Sequence, residues 1–255
     1  VKETALALAD AALVGARGNS GIIFAQFLYG FSKDIKDQQT MNIKEFAEYM
    51  RTASECAYYA LAKPKEGTII TVIKDWSNFL SEECDKSDDL TTLLLNALTV
   101  AMESLKGTGK FIAAKAKTIV DAGAKGFVVF LEGMCEYFHS GEQSVNVANA
   151  EVIDSEWMGE DNHEEITFRY CTEALLIGED LQKERLSSLI ETMGDCLVIA
   201  GSNKKMRLHI HTDEPWVVLE RVQTVGSVVY QKVEDMVMQN DLVTNRKSKI
   251  GVLSD

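Results

Sequence analysis

The chain has 255 residues, 46% hydrophobic and 25% charged, enough to bury the core of one large or two medium domains. A formal net charge of −13 and a pI near 4.8 exclude a nucleic-acid-binding surface or an anionic membrane face, both of which need clustered Lys and Arg. No run approaches the roughly 18 apolar residues of a transmembrane span, no signal-peptide pattern opens the chain, and five scattered cysteines without CxxC spacing do not make a full disulfide framework, so a cytoplasmic location is expected.

From residue 1 to about 139 the apolar period is helical. Leu6, Leu8, Ala9, Leu13 and Val14 mark the stripe of a first helix, and Ile22, Ile23, Phe24, Phe27, Leu28 and Phe31 that of a second. Between them lies Gly15-Ala16-Arg17-Gly18-Asn19-Ser20-Gly21. Glycine ends the first helix, and Ser20 is expected to N-cap the second, which would gather backbone N–H groups and the positive end of a helix dipole. Such a turn suits an anion, above all a phosphate, but it reads equally as a plain helix–loop–helix connection with glycine at C′.

Asn42 is expected to cap a third helix carrying Ile43, Phe46, Ala47, Met50, Ala53, Ala57 and Leu61, with Pro64 beyond its end. A second small-residue turn, Glu66-Gly67-Thr68, opens a helix with Ile69, Val72, Ile73, Trp76 and Leu80 inward. Asp88 and Asp89 start a long helix through Leu93, Leu94, Ala97, Leu98, Ala101, Met102 and Leu105, which Gly107-Thr108-Gly109-Lys110 is expected to break. That tetrapeptide is not read as a P-loop, because Ser104 stands where the motif needs its first glycine and no strand precedes it. A third glycine turn, Asp121-Ala122-Gly123-Ala124-Lys125-Gly126, separates a short helix from the apolar run Phe127 to Met134. Short, glycine-bearing connections between helices of ordinary length predict an up-and-down antiparallel bundle. If the three turns converge at one end, they form a backbone-lined pocket suited to a nucleotide.

Residues 140–165 hold eight Asp or Glu and no Lys or Arg, and read as an acidic linker. Beyond it the period switches. Ile166 to Gly178 reads as a strand, Leu181 to Met193 as a helix, Cys196 to Ala200 and Met206 to Thr212 as strands about a Ser202–Lys205 hairpin, Pro215 as the first position of a helix, and Val228 to Val233 as a last strand. The order β-α-β-β-α-β is that of a ferredoxin-like α+β sandwich. The expected plan is therefore an all-α domain over 1–139, a linker over 140–165, an α+β domain over 166–240 and the start of a further domain at 248–255. Val1 falls inside a helical pattern and Lys249 to Asp255 reads as an interrupted strand, so a piece of a longer polypeptide is expected.

In the second domain His209 and His211 stand at i and i+2, on one face of a strand. In a ferredoxin-like order the first strand neighbours the third, which brings Cys171 within reach. One Cys and two His are a zinc-compatible set that leaves a coordination position open. Both histidines read alternatively as hydrogen-bonding groups on a solvated sheet face. Asp213 is a candidate to orient one of the rings, or simply starts the turn before Pro215. His139 and His163 read as surface residues, and Trp76, Trp157 and Trp216 as packing.

These motifs resemble the bacterial fatty acid kinase ATP-binding subunit. The three glycine turns look like successive motifs of its first domain, itself similar to the nucleotide domain of dihydroxyacetone kinase, while Tyr170-Cys171-Thr172-Glu173 and His209-Ile210-His211-Thr212 look like its middle domain. The resemblance implies an antiparallel helical barrel holding ATP with Mg2+ at one end. It further implies phosphorylation of a fatty acid carboxylate, presented by a separate binding protein, to an acyl phosphate. Carried over by motif, Asn19, Ser20 and Gly21 contact the nucleotide phosphates, Thr68 and Ile69 line the pocket, Asp121, Ala122 and Gly123 close it, and Cys171, His209 and His211 bind Zn2+. A homodimer is expected. The family's magnesium-binding Asp-Gly-Asp-Thr-Gly box normally lies a few dozen residues before the first turn, and the sequence starts after that point, so the segment is expected to be inactive alone. Ile250 to Asp255 resembles the opening strand of a DegV-type fatty-acid-binding domain. The alternatives are a dihydroxyacetone-type kinase of a small ketose and a non-catalytic regulatory or scaffold relative.

Overall fold

The computed structural model describes residues 1–112, 120–141 and 166–239. Six helices come first: α1 (Lys2–Gly15), α2 (Gly18–Lys33), α3 (Ile43–Ala60), α4 (Ile69–Glu83), α5 (Leu90–Ile112) and α6 (Ala122–Ser140). Each packs on the next, and α6 returns to both α2 and α4. The starts are legible in capping chemistry. Asn42 and Glu45 form a reciprocal capping box ahead of α3, with Glu45 N–H to Asn42 Oδ1 at 2.9 Å and Asn42 N–H to Glu45 Oε2 at 3.1 Å. Asp89 accepts from the amides of Thr91 (3.2 Å) and Thr92 (2.9 Å) before α5. Inward faces are dominated by small and branched residues, with Ile69, Val72, Ile73, Trp76 and Leu80 of α4 and Leu93, Leu94, Ala97 and Ala101 of α5 all buried.

Four expectations are corrected. Ser20 is not an N-cap: Arg17 holds that position with extended backbone (φ −139°, ψ 139°), and Ser20 is the third residue of α2. Gly18, at φ 60°, makes the reversal and so starts the helix earlier than the serine signal suggests. Second, Gly107 to Lys110 does not break α5, because packing outweighs the glycine cost of about 1 kcal/mol each. Between the glycines Thr108 is buried, with its hydroxyl donating to Leu105 O at 2.7 Å. Third, α6 starts at Ala122 and takes Gly123 and Gly126 inside its first turns. Fourth, the inward stripe of α1 is Ala5, Ala9 and Leu13, while Leu6, Leu8 and Val14 are exposed.

After the helices come β1 (Tyr170–Ile177), α7 (Lys183–Ile190), β2 (Gly194–Gly201), β3 (Lys205–Thr212), α8 (Pro215–Gln223) and β4 (Ser227–Asp235). The sheet order is β2-β3-β1-β4 with every pair antiparallel, the ferredoxin-like arrangement, and β1 is shorter than the run expected from Ile166. Alternation sends Ala174, Leu176, Leu197, Ile199, Leu208 and Ile210 to one face, where Leu186 and Ile190 of α7 and Val218 and Val222 of α8 cover them. The opposite face carries Cys171, Glu173, Arg207, His209 and His211.

By internal contacts the chain divides into two units, Val1–Ala60 with Pro64–Asn162, and Leu61–Lys63 with His163–Asp255. The expected short helix before Asp121, the acidic linker from residue 142 onward with His163 and Trp157, and the strand at 249–255 lie outside the described residues. No described helix is long and apolar enough to cross a membrane.

Candidate functional site

In the helical unit the starts of α2, α4 and α6 meet. Asp121, the N-cap of α6, accepts from the amide of Ala124 at 2.7 Å and, across 52 positions of sequence, from that of Ile69 at 3.1 Å. It therefore caps two helices with one oxygen. Thr68 is the N-cap of α4 but makes no side-chain cap bond; its hydroxyl donates to Lys65 O at 2.9 Å instead. The Asp121 amide in turn donates to Thr108 Oγ1 of α5 at 3.0 Å. Gly123 abuts α2 so closely that a Cβ there would overlap Ser20 Oγ. Asn19, Ser20 and Gly21 thus lie in the first turn of α2, Thr68 and Ile69 at the start of α4, and Asp121, Ala122 and Gly123 at the start of α6.

Three helix N-termini at one end concentrate amides that lack an acceptor within their own helix and the positive ends of three dipoles. Anion binding is the chemistry such a place favours. Asn19 Oδ1 is buried without a hydrogen-bond partner among the described residues. As placed, this neutral oxygen suits a hard cation; rotated, the same amide offers N–H to a phosphate. The carboxylates of the three turns are otherwise engaged. Glu66 accepts from the Thr71 hydroxyl at 2.7 Å and faces Lys74 at 3.8 Å, and Asp121 is spent on two amides. Burial pushes the Asp121 carboxyl above the usual carboxylate range, against the pull of the Ala124 and Ile69 amides. The turns therefore fit phosphate well, and they supply one oxygen but no uncommitted carboxylate for magnesium.

On the sheet face opposite α7 and α8, Cys171 pairs in register with His211. Ligand atoms of Cys171, His209 and His211 all lie within 4.8 Å of one another, with Cys171 Sγ 3.8 Å from His209 Nδ1 and the two imidazole centroids 4.9 Å apart. Donor atoms around a tetrahedral zinc ion stand about 3.3–3.8 Å apart, so small adjustments close the set. His209 is only 3% exposed; its Nδ1 is the ring nitrogen near Cys171, and its Nε2 has no hydrogen-bond partner among the described residues. Burial, with Glu173 and Glu234 adding negative charge, pushes the Cys171 thiol up to about 11, so without a cation it stays protonated at neutral pH. Burial and the neighbouring His209 push His211 down, favouring the neutral imidazole that coordinates metal.

The surroundings were not anticipated from sequence. Glu173 joins Arg207 through Oε2 at 2.8 Å and stands 3.6 Å from His209 Nδ1 through Oε1, all three residues being at most 3% exposed. The Arg207 guanidinium lies over the Tyr230 ring at 5.0 Å. Two-residue alternation through Cys171 and His209 puts Glu173 and Arg207 on the same face, a signal present in the sequence. Asp213 does not orient a ring, because its carboxylate accepts from the Arg169 amide at 2.8 Å; Asp195 is the acid beside His211, 3.4 Å from Nδ1.

A helical unit in which the starts of α2, α4 and α6 meet, followed in the same chain by a ferredoxin-like α+β unit, is the architecture of a kinase-family protein. The family model described as "DAK2 domain" matches residues 1–136, more than half of the chain, and the protein belongs to that family. A second model, that of the middle domain of FakA-like fatty acid kinase proteins, matches residues 167–243. Similar proteins include an uncharacterized protein of Staphylococcus epidermidis, 33% identical over 254 residues that cover 94% of this chain and 45% of the relative. An uncharacterized protein of Staphylococcus saprophyticus is 31% identical over 250 residues, covering 94% and 45%, and one of Staphylococcus aureus is 32% identical over 248, covering 92% and 45%. The chain spans about half the length of the curated relatives it matches.

Proposed function

We propose that this chain is the ATP-binding part of a fatty acid kinase, transferring the γ-phosphoryl of ATP to a fatty acid carboxylate held by a fatty-acid-binding protein or domain of the DegV type. A carboxylate oxygen attacks the γ-phosphorus, the bond to the β-phosphate oxygen breaks, and acyl phosphate and ADP leave. The observation that carries this reading is the meeting of the α2, α4 and α6 N-termini through Asp121, beside the orphan Asn19 oxygen. Membership in the DAK2 family and the match of residues 167–243 to a fatty acid kinase middle domain support a fatty acid as the acceptor.

In this reading the first-turn amides of α2 hold phosphate oxygens, Asn19 adds a polar arm, and Thr68 and Ile69 wall the pocket. Asp121 is a positioning residue: it locks α4 to α6 so that the amides are aimed before the nucleotide arrives. Ala122 and Gly123 close the pocket on the α6 side, glycine being needed to admit Ser20 of α2. Magnesium, when bound, supplies positive charge that offsets the charge of the transferring phosphoryl group. Its carboxylate ligands belong outside the three turns, in agreement with an upstream aspartate box. Cys171, His209 and His211 hold zinc in the second domain. Active protein functions as a homodimer.

Isothermal titration of ATP with magnesium into the full-length protein tests the nucleotide site, and absence of binding overturns it. Transfer is read by trapping acyl phosphate with hydroxylamine in the presence of a loaded fatty-acid-binding protein. Phosphorylation of dihydroxyacetone with indifference to fatty acid would establish the small-ketose alternative instead.

A further inference from the structure

Strand β2 is irregular at one point. Its pairing with β3 runs Gly194 with Thr212 and Asp195 with His211, then resumes at Val198 with His209, so Cys196 and Leu197 together span the place of one β3 residue. Such a bulge adds one residue and re-aims its side chain. Strict alternation would turn Cys196 away from Asp195, toward the helices. Leu197 takes that inward place instead, 6% exposed in the core beneath α7 and α8. Cys196 is left as the inserted residue at φ 53°, the one non-glycine with positive φ among the described residues. The outcome is chemical: its sulfur, an Asp195 carboxylate oxygen and a His211 ring nitrogen lie within 4.8 Å of one another.

His211 is therefore shared by two donor groups, Cys171 with His209 on the β1 side and Asp195 with Cys196 on the β2 side. The register places Cys171, His211 and Asp195 in one row across three strands, with the histidine in the middle. We propose that Cys196 is the fourth protein ligand of the centre formed by Cys171, His209 and His211, making it a closed, four-coordinate site that ties β1, β2 and β3 together. This rests on the zinc reading of those three residues given above.

Cys196 is the ligand rather than Asp195 for two reasons. A second thiolate completes a Cys2His2 set, the soft-donor composition of closed zinc sites. Asp195, 3.4 Å from His211 Nδ1, is placed to accept that nitrogen's proton and so orient the ring. A disulfide between Cys171 and Cys196 is not the purpose of the arrangement. β3 separates their strands, which puts the Cα atoms roughly 9–10 Å apart, beyond the ~7 Å that a disulfide spans. Two metal–sulfur bonds add the missing reach. The buried His209 Nε2 has no hydrogen-bond partner among the described residues, a polar atom that the protein's own described groups leave unsatisfied. A closed site has no vacant position for water or a substrate oxygen, so its work is to hold the sheet and not to perform chemistry.

Cobalt replacement in the whole chain tests this, because the sulfur-to-cobalt charge-transfer band reports the thiolates and the d–d bands report tetrahedral geometry. The expected result is a tetrahedral spectrum whose charge-transfer intensity falls by about half in Cys196→Ser and in Cys171→Ser, with metal affinity weakened roughly tenfold or more. Cys84→Ser leaves the spectrum unchanged. Cys196→Gly separates ligand loss from misfolding, since glycine suits the left-handed backbone there: it should lose the same half of the band while the metal-free protein keeps or gains stability. An unchanged charge-transfer band in Cys196→Ser and Cys196→Gly overturns the four-ligand site and leaves a three-ligand zinc centre standing. A wild-type chain that takes up neither cobalt nor zinc overturns the zinc reading and this proposal with it.

Discussion

Asp121 shows how one side chain links sequence to site. Its oxygen is shared by first-turn amides of two helices, yet burial raises its carboxyl above the ordinary range, so its charge is held at a cost. A group whose folded pKa is raised lowers stability as pH climbs from the unfolded value through the folded one. Asp121→Asn keeps the oxygen and removes the charge. It is expected to match or exceed wild-type stability at pH 7 in urea unfolding, with the difference closing below about pH 4. Asp121→Ala leaves two amides without their acceptor and should lose about 1–3 kcal/mol. Gly123→Ala drives a methyl into Ser20 and should lose a similar ~1–3 kcal/mol while weakening ATP binding. Ser20→Gly in the same chain should restore much of both, a coupling that a double-mutant cycle reads directly. The glycine at 123 and the aspartate at 121 were visible as a turn motif. Convergence of the turns carrying Ser20 and Ile69 was expected, but the contacts were not readable, because only the packing of α2 and α4 on α6 sets Ser20 against Gly123 and Ile69 against Asp121.

At the scale of elements, apolar period and capping residues located the helices, while glycine misled wherever packing overrode it. Gly107 and Gly109 read as a break but lie within α5, and Gly123 and Gly126 read as a turn but lie within α6. Propensity costs of about 1 kcal/mol per glycine cannot stop a helix whose face is buried over several turns. The same reasoning separates two substitutions that look alike. A Cβ on Gly107 meets nothing within 4 Å, so Gly107→Ala should stabilise by up to about 1 kcal/mol. On Gly30 of α2 the added Cβ stands 2.8 Å from Ala53 Cα and 2.6 Å from Cys56 Cβ of α3. Backbone cannot yield as a long side chain can, so Gly30→Ala should destabilise by roughly 1–3 kcal/mol despite its better propensity. Thermal unfolding of the two variants side by side checks this, and equal shifts would refute the close approach of α2 and α3. In the second unit the β-α-β-β-α-β order was readable from the switch of period, and with it the neighbourhood of Cys171 and His211. The bulge at Cys196 was not, since the sequence reads through it as continuous strand.

For the whole molecule, two units with separate cores imply two separable responses to ligands. Whatever binds only a folded unit stabilises that unit by mass action, about 2.7 kcal/mol at a hundredfold excess over Kd. For a unit of roughly 60–100 residues this corresponds to a shift of roughly 10 °C or more. The proposed metal donors lie on β1, β2 and β3, and the turns proposed to face the nucleotide on α2, α4 and α6. In scanning calorimetry, removal of zinc by a strong chelator should therefore lower the transition of the α+β unit by that order and leave the helical transition in place. ATP with magnesium, added to the full-length protein, should raise the helical transition alone. Cys171→Ser should lower the same transition part of the way and shift it further at a lower chelator concentration than wild type needs. A chelator that shifts both transitions equally, or neither, would contradict the placement of the metal on the sheet. Because the two shifts are read in one scan, a failure of the zinc site and a failure of the nucleotide site are told apart in the same sample.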